Sequence, residues 1–346
     1  MKKVDSTDHI DSINEEGRDK SVMKDRFERR IKYLRVSLTD RCNFKCTYCR
    51  PETAESMCHG DLLTFEEVLK VVTLMVGLGI NKVRLTGGEP LVRKNADRLV
   101  KMIADIDGID DLAMTTNAVF LDRYARPLKE AGLDRVNISL DTLDPKRFKE
   151  LTCGGELKEV LRGIDAAVEA GLTPLKLNTV VMRGFNDLEL PAIIDFAAKR
   201  NFTVRFIEFM PMSNGLDWEK SYISTEEILK RPEVRERLQL DATPEQINTA
   251  SLYIPLKEGN GEVGLITPMS KRFCDICNRL RLTADGRLRS CLPTDKDVDI
   301  KEALRSGASD DELIELVRRA VLLKPEVGEY NYSETGHDKS MVEIGG

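Results

Sequence analysis

The chain has 346 residues, of which 41% are hydrophobic and 32% are charged, so it can bury a sizeable core in about two domains or in one extended barrel. This composition excludes a disordered chain and a collagen, and no apolar run approaches the roughly 18 residues of a membrane-spanning helix. A formal net charge of −6 disfavours a protein that binds nucleic acid through a broad basic surface.

The N-terminal segment, residues 1–25, is polar and aperiodic, which predicts a mobile tail. It has no apolar run typical of a secretory signal and is too rich in acidic residues for a mitochondrial transit peptide. The eight cysteines of the chain lie mostly in two close groups, unlike the dense framework of a small secreted protein. We therefore expect a cytoplasmic protein, with no membrane or nucleic-acid partner, whose grouped cysteines bind a metal or a cluster.

Alternating strand and helix patterns follow this tail and predict a parallel sheet. The capping box Thr64-x-x-Glu67 marks one helix start, and Asp187 is a candidate cap for the helical pattern near Leu190. The repeats favour a partial, incomplete α/β barrel over residues 26–215, with its chemistry at the carboxyl ends of the strands. The predicted strands are residues 34–39, 82–86, 112–116, 135–140, 175–182 and 203–209.

The first cysteine group, Cys42-x-x-x-Cys46-x-x-Cys49, directly follows the first predicted strand. Three thiolates in one loop can bind three irons of a [4Fe–4S] cluster and leave one iron open to another ligand. Zinc is the alternative, but a structural zinc site needs four ligands, and His59 stands at an irregular spacing from this loop. The spacing favours a cluster with an open iron.

The second predicted strand ends in Thr86-Gly87-Gly88-Glu89-Pro90, where glycines allow a close backbone approach. With the cysteine loop, this motif resembles the radical S-adenosylmethionine (radical SAM) superfamily. The resemblance implies that S-adenosylmethionine chelates the open iron. It also implies that Tyr48 contacts the adenine, and that Gly87, Gly88 and Glu89 hold the methionine ammonium.

Cations stand inside four of the six predicted barrel strands, at Arg35, Lys82, Arg84, Lys176 and Arg205. Parallel barrel strands are largely apolar, and a charge inside one is costly unless something pairs with it. One buried arginine is often a structural ion pair. Cations on four strands favour an anionic ligand inside the barrel instead.

Beyond the barrel, residues 216–346 predict a smaller C-terminal α+β domain that closes it. Asp285-Gly286 indicates a hairpin turn, and Ser309-x-x-Glu312 is the capping box of a final helix. The predicted strands of this domain are residues 252–256, 261–267, 280–283 and 288–291.

The second cysteine group comprises Cys274, Cys277 and Cys291, the last of them across the predicted hairpin. Three ligands again suit a [4Fe–4S] cluster with an open iron, and a zinc knuckle is the alternative. Arg279 and Arg281 would project from one face of the strand between them, which points to a bound anion. Two further cysteines, at positions 58 and 153, are interpreted as structural or incidental.

Residues 274–292 resemble the C-terminal signature of the GTP 3′,8-cyclase family, radical SAM enzymes that open molybdenum cofactor biosynthesis. Segments 39–44 and 206–211 and the terminal Gly345-Gly346 also match the family pattern. The resemblance extends from about Arg30 to Gly346, which covers nearly all of the chain outside the tail.

The resemblance implies a role for individual residues of both predicted domains. The implied catalytic residues are Arg279, Arg281, Gly345 and Gly346. The implied GTP contacts are Arg35, Arg84, Thr115, Lys176, Arg279 and Arg281, with Arg205 and Lys82 as further phosphate ligands. The implied S-adenosylmethionine contacts are Tyr48, Gly87, Gly88, Glu89, Ser139 and Met210.

The implied reaction begins when an electron donor reduces the first cluster and S-adenosylmethionine is cleaved. The 5′-deoxyadenosyl radical then takes hydrogen from C3′ of GTP, C3′ attacks C8 of guanine, and further reduction gives 3′,8-cyclo-7,8-dihydro-GTP. The second cluster holds guanine, and the product passes to cyclic pyranopterin monophosphate synthase. The oligomeric state is open, and a homodimer is compatible with the sequence.

Two positions depart from the family pattern, Arg50 after the third cysteine and Ala118 where glycine is common. The alanine would stiffen a turn that needs a positive φ, and neither departure removes a cluster ligand. Two alternative functions stay open at this point: a radical SAM enzyme that modifies a peptide, and a non-catalytic binding module stabilised by zinc.

Overall fold

The structure is a computed structural model that describes residues 22–50, 56–212, 217–241, 245–248, 251–330 and 340–345. The predicted tail therefore lies largely outside the described residues, as do Pro51 and the terminal Gly346. Within the described ranges, no helix is long and apolar enough to cross a membrane.

The described strands form one open sheet in the order β12-β11-β10-β1-β2-β3-β4-β5-β6-β9-β8-β7. Every neighbouring pair from β10 through β6 to β9 is parallel, and antiparallel strands are added at both ends. The partial, unclosed barrel expected from the sequence is confirmed. The strands are β1 (Tyr33–Ser37), β2 (Lys82–Thr86), β3 (Asp111–Thr116), β4 (Arg135–Ser139), β5 (Lys176–Val181), β6 (Thr203–Glu208), β7 (Glu245–Asn248), β8 (Ser251–Pro255), β9 (Glu262–Ile266), β10 (Arg279–Leu282), β11 (Arg287–Arg289) and β12 (Asp297–Asp299).

The helices cover the outer face of this sheet and bury one apolar side each. In the first of them, Phe65–Gly77, the side chains of Val68, Val71, Val72 and Met75 are fully buried. Full burial of a side chain of this kind contributes about 1.5–3 kcal/mol. The helices are α1 (Phe65–Gly77), α2 (Ala96–Ala104), α3 (Leu121–Glu130), α4 (Pro145–Leu151), α5 (Leu157–Glu169), α6 (Leu190–Arg200), α7 (Trp218–Ser221), α8 (Thr225–Lys230), α9 (Pro232–Arg235), α10 (Lys301–Arg305) and α11 (Asp310–Leu322).

Both predicted capping boxes are present, at the starts of α1 and α11. The expected cap of α6 is wrong, because Glu189 occupies that position and makes no side-chain cap bond. Asp187 instead accepts a hydrogen bond from the Gly184 amide and pairs with Arg231. Its carboxylate therefore stabilises the turn before α6 and does not cap the helix.

The C-terminal strands do not form a separate sheet. Parallel pairing joins β10 to β1 at one edge of the barrel sheet and β9 to β6 at the other edge. The predicted hairpin is present, since β10 and β11 are antiparallel and Gly286 has a φ of +80°. The short strands β7 and β12 were not predicted, and the domain boundary near residue 215 stays a prediction.

The last residues of the predicted tail belong to the fold. Met23 is buried, its amide donates to the Leu78 carbonyl, and its carbonyl accepts from the Ile31 amide. The Asp25 carboxylate is also buried and binds Arg29 at 2.5 Å. The expectation of a mobile tail as far as residue 25 is therefore wrong for residues 22–25.

Candidate functional site

One cavity of about 640 Å³ lies within the curve of the sheet. It brings together both cysteine groups, the Gly-Gly-Glu-Pro segment and the cations of the barrel strands. The predicted site residues that line it are Arg35, Cys42, Cys46, Tyr48, Cys49, Lys82, Arg84, Gly87, Gly88, Glu89, Thr115, Ser139, Lys176, Arg205, Met210, Cys274, Cys277, Arg279, Arg281 and Cys291.

The three thiols of the first cysteine group share one loop after β1. Burial raises the pKa of Cys42 to about 11 and that of Cys49 to about 12. Burial and then repulsion from Cys49 hold the pKa of Cys46 well above its ordinary value. Three thiolates so placed are costly by themselves, and bound metal removes this cost because a coordinated thiol is deprotonated.

A zinc ion and a cluster place different demands on the positions of three thiols. Across the described part of the chain, no three histidine, cysteine or acidic side chains converge closely enough to hold a single metal ion. A zinc ion needs every ligand sulfur at about 2.3 Å from one point. A cluster instead binds its cysteines at separate irons.

Gly87 and Gly88 are required by the approach of the cysteine loop to the end of β2. A Cβ on Gly88 would stand 2.3 Å from the Arg41 carbonyl oxygen, and one on Gly87 would stand 2.6 Å from that of Thr39. The Gly88 amide donates to the Thr39 carbonyl at 2.7 Å. The glycines therefore fix the first cysteine loop against the sheet, and their contact with a cofactor stays a prediction.

Glu89 is buried at the junction of β2 and β3. Its carboxylate accepts hydrogen bonds from the Leu91 amide, the Thr116 hydroxyl and the Asn117 amide. Burial raises its pKa to about 7, although these bonds oppose the rise. The carboxylate joins two strand ends that border the cavity, and a role toward the methionine ammonium stays a prediction.

Asn117 extends this contact to the cysteine loop and was not identified as a site residue from the sequence. Its side-chain amide donates to Asn43 at 2.8 Å and reaches the Cys42 sulfur at 3.9 Å. The next residue, Ala118, has a φ of +69°, so the chain makes a turn of the kind that glycine favours. The departure from the family pattern is accommodated in this turn.

Tyr48 is half-buried beside the first cysteine group and donates to Asp141 at 2.8 Å. Burial raises the pKa of Asp141 to about 6, although bonds from Val180 and Tyr48 oppose the rise. Asp141 was missed because it follows β4 without any motif around it. It orients the phenol that the sequence assigns to the adenine of the cofactor.

Arginines occupy neighbouring positions across three strands. Arg281, Arg35 and Arg84 are register partners on β10, β1 and β2. Burial, with repulsion from other arginines, lowers the pKa of Arg35 well below its ordinary value and that of Arg281 to about 10. Like charges directly opposite one another are destabilising, so this arginine row (Arg35, Arg84 and Arg281) favours an anion that contacts all three.

Two further arginines, Arg205 and Arg279, face the same cavity. Burial lowers the pKa of Arg205 to about 10. Within the described ranges, no ion pair is recorded for Arg84, Arg205 or Arg279. Their Nε atoms are buried without a hydrogen-bond partner among the described residues, as are the Thr115 hydroxyl and the side-chain oxygen of Asn178. Such groups are costly unless a ligand satisfies them.

Tyr33 is a cavity residue that sequence reasoning missed. The guanidinium carbons of Arg84 and Arg279 lie 5.3 Å and 5.7 Å from its ring centroid. Burial raises its pKa, but the charges of Arg84, Arg35 and other arginines outweigh this effect and lower it. Tyr33 stands two residues before Arg35 on β1, so the two side chains lie on the same face of the strand. This spacing was the signal that could have identified Tyr33 as a cavity residue.

The second cysteine group lies at the β10 edge of the cavity. Burial raises the pKa of Cys291, while the positive charges of Lys324 and Arg279 outweigh burial at Cys277 and lower its pKa. The Arg29 guanidinium donates to the Cys274 carbonyl at 2.5 Å. Cys58 and Cys153 are exposed, and neither lines this cavity.

The C-terminal segment reaches the arginine row. The Gly345 carbonyl accepts hydrogen bonds from Arg35 and Arg281, each at 3.3 Å. Gly345 has a φ of +75°, and a Cβ there would stand 2.9 Å from the Ser37 Cβ. Gly346 lies outside the described residues, so its predicted role is not addressed by the structure.

Met210 and Ser139 complete the predicted cofactor side of the cavity. The Tyr330 hydroxyl lies 3.3 Å from the Met210 sulfur, which joins the end of β6 to the C-terminal region. Ser139, the last residue of β4, is half-buried in the lining. Lys176 contacts Tyr253, with its ammonium 5.1 Å from the ring centroid.

Family models match both parts of the chain. The Radical SAM superfamily model matches residues 36–197. The Molybdenum Cofactor Synthesis C model matches residues 202–330.

Curated relatives match nearly the full length. The GTP 3′,8-cyclase of Alkaliphilus oremlandii is 45% identical over 331 residues, covering 94% of this chain and 100% of the relative. That of Moorella thermoacetica is 46% identical over 328 residues, with 94% and 100% covered. That of Thermodesulfovibrio yellowstonii is 46% identical over 307 residues, with 88% and 95% covered.

Solved structures share the fold at low identity. Streptococcus suis SuiB bound to S-adenosylmethionine has a TM-score of 0.59 and 14% identity, covering 91% of this chain and 78% of that chain. SuiB bound to precursor peptide SuiA has a TM-score of 0.58 and 15% identity, with 90% and 76% covered. At this identity the likeness shows the fold alone.

Proposed function

The chain belongs to the GTP 3′,8-cyclase family of radical SAM enzymes, and from this premise we propose how its cavity carries out the first step of molybdenum cofactor biosynthesis. The enzyme acts on GTP and uses S-adenosylmethionine and two [4Fe–4S] clusters. When bound, these groups supply the radical chemistry that removes hydrogen from C3′ of the ribose and joins C3′ to C8 of guanine. The steps below concern what the residues of this chain do.

The observation that carries the proposal is the arginine row between the two cysteine groups. A triphosphate near neutral pH carries several negative charges, and arginine binds phosphate oxygens through two parallel hydrogen bonds. Arg35, Arg84 and Arg281 bind the triphosphate, together with Arg205, Lys176 and Lys82. Thr115 and Asn178 have polar atoms without partners that would bind the ribose or a phosphate oxygen.

The opposite end of the cavity binds S-adenosylmethionine. Cys42, Cys46 and Cys49 hold the first cluster, and Tyr48, fixed by Asp141, packs against the adenine. Gly87, Gly88, Glu89, Ser139 and Met210 border the rest of the cofactor. The buried environment excludes water from a reactive radical, and fixed side chains place the ribose beside it.

The base of the nucleotide lies toward the second cysteine group. Cys274, Cys277 and Cys291 hold the second cluster, and Arg279 on the next strand faces the same space. Arg279 and Arg281 stabilise charge that develops on the nucleotide during cyclisation. The Gly345 carbonyl, already bonded to Arg35 and Arg281, orients the two guanidinium groups.

The remaining partners are also proposals. A low-potential electron donor reduces the first cluster, and the product is handed to cyclic pyranopterin monophosphate synthase in the cytoplasm. We also propose that the chain associates as a homodimer.

The test is anaerobic incubation of the reconstituted protein with GTP, S-adenosylmethionine and dithionite, followed by mass analysis of the nucleotides and by iron and sulfide counts. Two clusters give about eight irons per chain. We expect 5′-deoxyadenosine and a cyclised nucleotide that depends on GTP. Formation of 5′-deoxyadenosine without any nucleotide product would contradict the proposal and point to another substrate, such as a peptide. A colourless protein that contains zinc would contradict the cluster assignment itself.

A further inference from the structure

Lys324 is a buried lysine at the second cysteine group. It stands two residues after α11 and is 2% exposed. Its ammonium donates to the Arg279 carbonyl at 2.9 Å and to the Ser290 carbonyl at 2.6 Å. Lys324 and Cys277 both line the cavity.

These two bonds use two of the three donors of the ammonium. Lys324 lines the cavity, as Lys82 and Lys176 do, but those two stand on barrel strands, whereas Lys324 follows α11. Both of its acceptors are backbone carbonyls close in sequence to cysteines of the second group.

The two backbone acceptors lie in two separate parts of the second cysteine group. These parts, here called arms, precede and follow the hairpin of β10 and β11. Arg279 is two residues after Cys277, and Ser290 immediately precedes Cys291. One side chain thus joins the arm before the hairpin to the arm after it. Displacement of Lys324 would move Cys277 and Cys291 relative to each other.

Arg29 fixes the position of Lys324 from the other side. Its guanidinium donates to the Pro325 carbonyl at 2.6 Å and to the Glu326 carbonyl at 3.0 Å, the two residues that follow the lysine. It also donates to the Cys274 carbonyl. Arg29 and Lys324 together hold the backbone next to all three cysteines.

Among the described residues, the charge of Lys324 has no acidic partner within ion-pair distance. Burial of an ammonium without a counter-ion is costly. A negatively charged group at the three thiolates would offset this cost.

We propose that Lys324 is a positioning residue for the second cluster, which it holds between its two arms while its fixed positive charge favours the reduced state. The inference rests on the proposed function, because it requires that second cluster. Net charge and hydrogen bonds to the sulfurs set the reduction potential of a cluster. A fixed positive charge close to the cluster stabilises the state with one more electron and raises the potential.

The test uses the reconstituted holoenzyme with Lys324→Met, which removes the charge, Lys324→Gln, which retains donors without charge, and Lys324→Arg, which retains charge. Lys230→Met is the matched control, since Lys230 pairs with Glu226 on the surface and does not line the cavity. An EPR-monitored redox titration measures both clusters. Cys291→Ser identifies the signal of the second one, and the thermal unfolding midpoint verifies that each variant folds.

We expect Lys324→Met and Lys324→Gln to shift the second cluster to a more negative potential, while the first cluster and Lys230→Met stay unchanged. Loss of about four irons in both neutral variants but not in Lys324→Arg supports the inference as well. An unchanged potential at about eight irons would overturn it, as would equal iron loss in the arginine and neutral variants. Wild-type protein with only about four irons would instead refute the second cluster in the proposed function, and with it this inference.

Discussion

At the scale of single residues, the cavity brings together arginines that differ in whether they form an ion pair. In the described part of the chain, Arg205 is buried and Arg84 and Arg279 are half-buried, and none of the three forms an ion pair. A structural arginine in a parallel sheet is normally paired, as Arg135 is with Asp111 at 2.6 Å. This difference within one sheet distinguishes the arginines that are candidate ligand contacts from an arginine that forms a structural ion pair.

Arg281→Ala is expected to reduce the cyclised nucleotide roughly 10- to 100-fold, because charged hydrogen bonds contribute about 1.5–3 kcal/mol each. Cleavage of S-adenosylmethionine should stay within about twofold of wild type, because Arg281 stands with the nucleotide. Quantification of 5′-deoxyadenosine and nucleotide product from one reaction measures both effects. Arg318→Ala, on the exposed face of α11, is the control. Wild-type amounts of nucleotide from Arg281→Ala would remove this residue from the site.

The titration of Glu89 should make the free energy of unfolding of the cluster-free protein depend on pH. Its pKa is raised from 4.5 to about 7 in the folded state, so the folded state binds the proton more tightly than the unfolded chain does. The free energy of unfolding should therefore fall as the pH rises through this range, by about 3 kcal/mol from this group.

Glu89→Gln should remove this part of the pH dependence, whatever it costs in absolute stability. Chemical denaturation at about pH 5 and about pH 8 measures the difference between the variant and wild type. Glu66→Gln, at an exposed position of α1, serves as the control. Parallel pH profiles for wild type and Glu89→Gln would contradict the assigned cause.

At the scale of elements, the end of β2 and the first cysteine loop act as one unit. Paired backbone bonds connect them, from the Gly88 amide to the Thr39 carbonyl and from the Glu89 amide to the Arg41 carbonyl at 2.8 Å. Such close contact is possible only because residues 87 and 88 lack side chains. The motif therefore has a packing function that is independent of any cofactor.

Gly88→Ala should lower the free energy of unfolding by about 2–4 kcal/mol and reduce iron at the first cluster, because the new methyl group overlaps the Arg41 carbonyl. Gly77→Ala is the matched control, since a Cβ at that helical position meets nothing within 4 Å. It should be neutral or stabilising by up to about 1 kcal/mol. Denaturant unfolding and iron counts measure both variants. Full iron content with unchanged stability in Gly88→Ala would contradict the steric account.

At the scale of the whole molecule, residues distant in sequence complete one sheet and one cavity. The C-terminal strand β10 pairs with β1, which places Arg281 beside Arg35 and brings the second cysteine group to the same cavity as the first. The C-terminal Gly345 then contacts the same two arginines. The cavity is therefore assembled from both ends of the described chain.

Deletion of Gly345 and Gly346 should retain iron content and S-adenosylmethionine cleavage but reduce the cyclised nucleotide at least tenfold, because Arg35 and Arg281 lose the acceptor that orients them. Mass analysis of nucleotides and iron counts on the shortened chain provide the measurement. Gly154→Ala is the control for the effect of backbone strain elsewhere in the chain. Gly154 is exposed, has a positive φ and does not line the cavity. Full product from the shortened chain would show that the tail acts elsewhere.

The sequence by itself determined the family, the partial barrel and the two cysteine groups, because these depend on local spacing and on strand and helix periods. It placed the six barrel strands within one or two residues, and both capping boxes were correct. It failed at Asp187 and at Met23, where contacts distant in sequence decide the local structure.

Only the tertiary structure decided which polar residues share the cavity. Tyr33, Asn117, Asp141 and Lys324 carry no motif, and their positions depend on pairings between segments far apart in the chain. The arginine row likewise exists because β10 returns to pair with β1, in a register that no local pattern specifies. Spacing along the chain therefore indicated the candidate cluster ligands, whereas the strand register and the burial of charge revealed further residues around them.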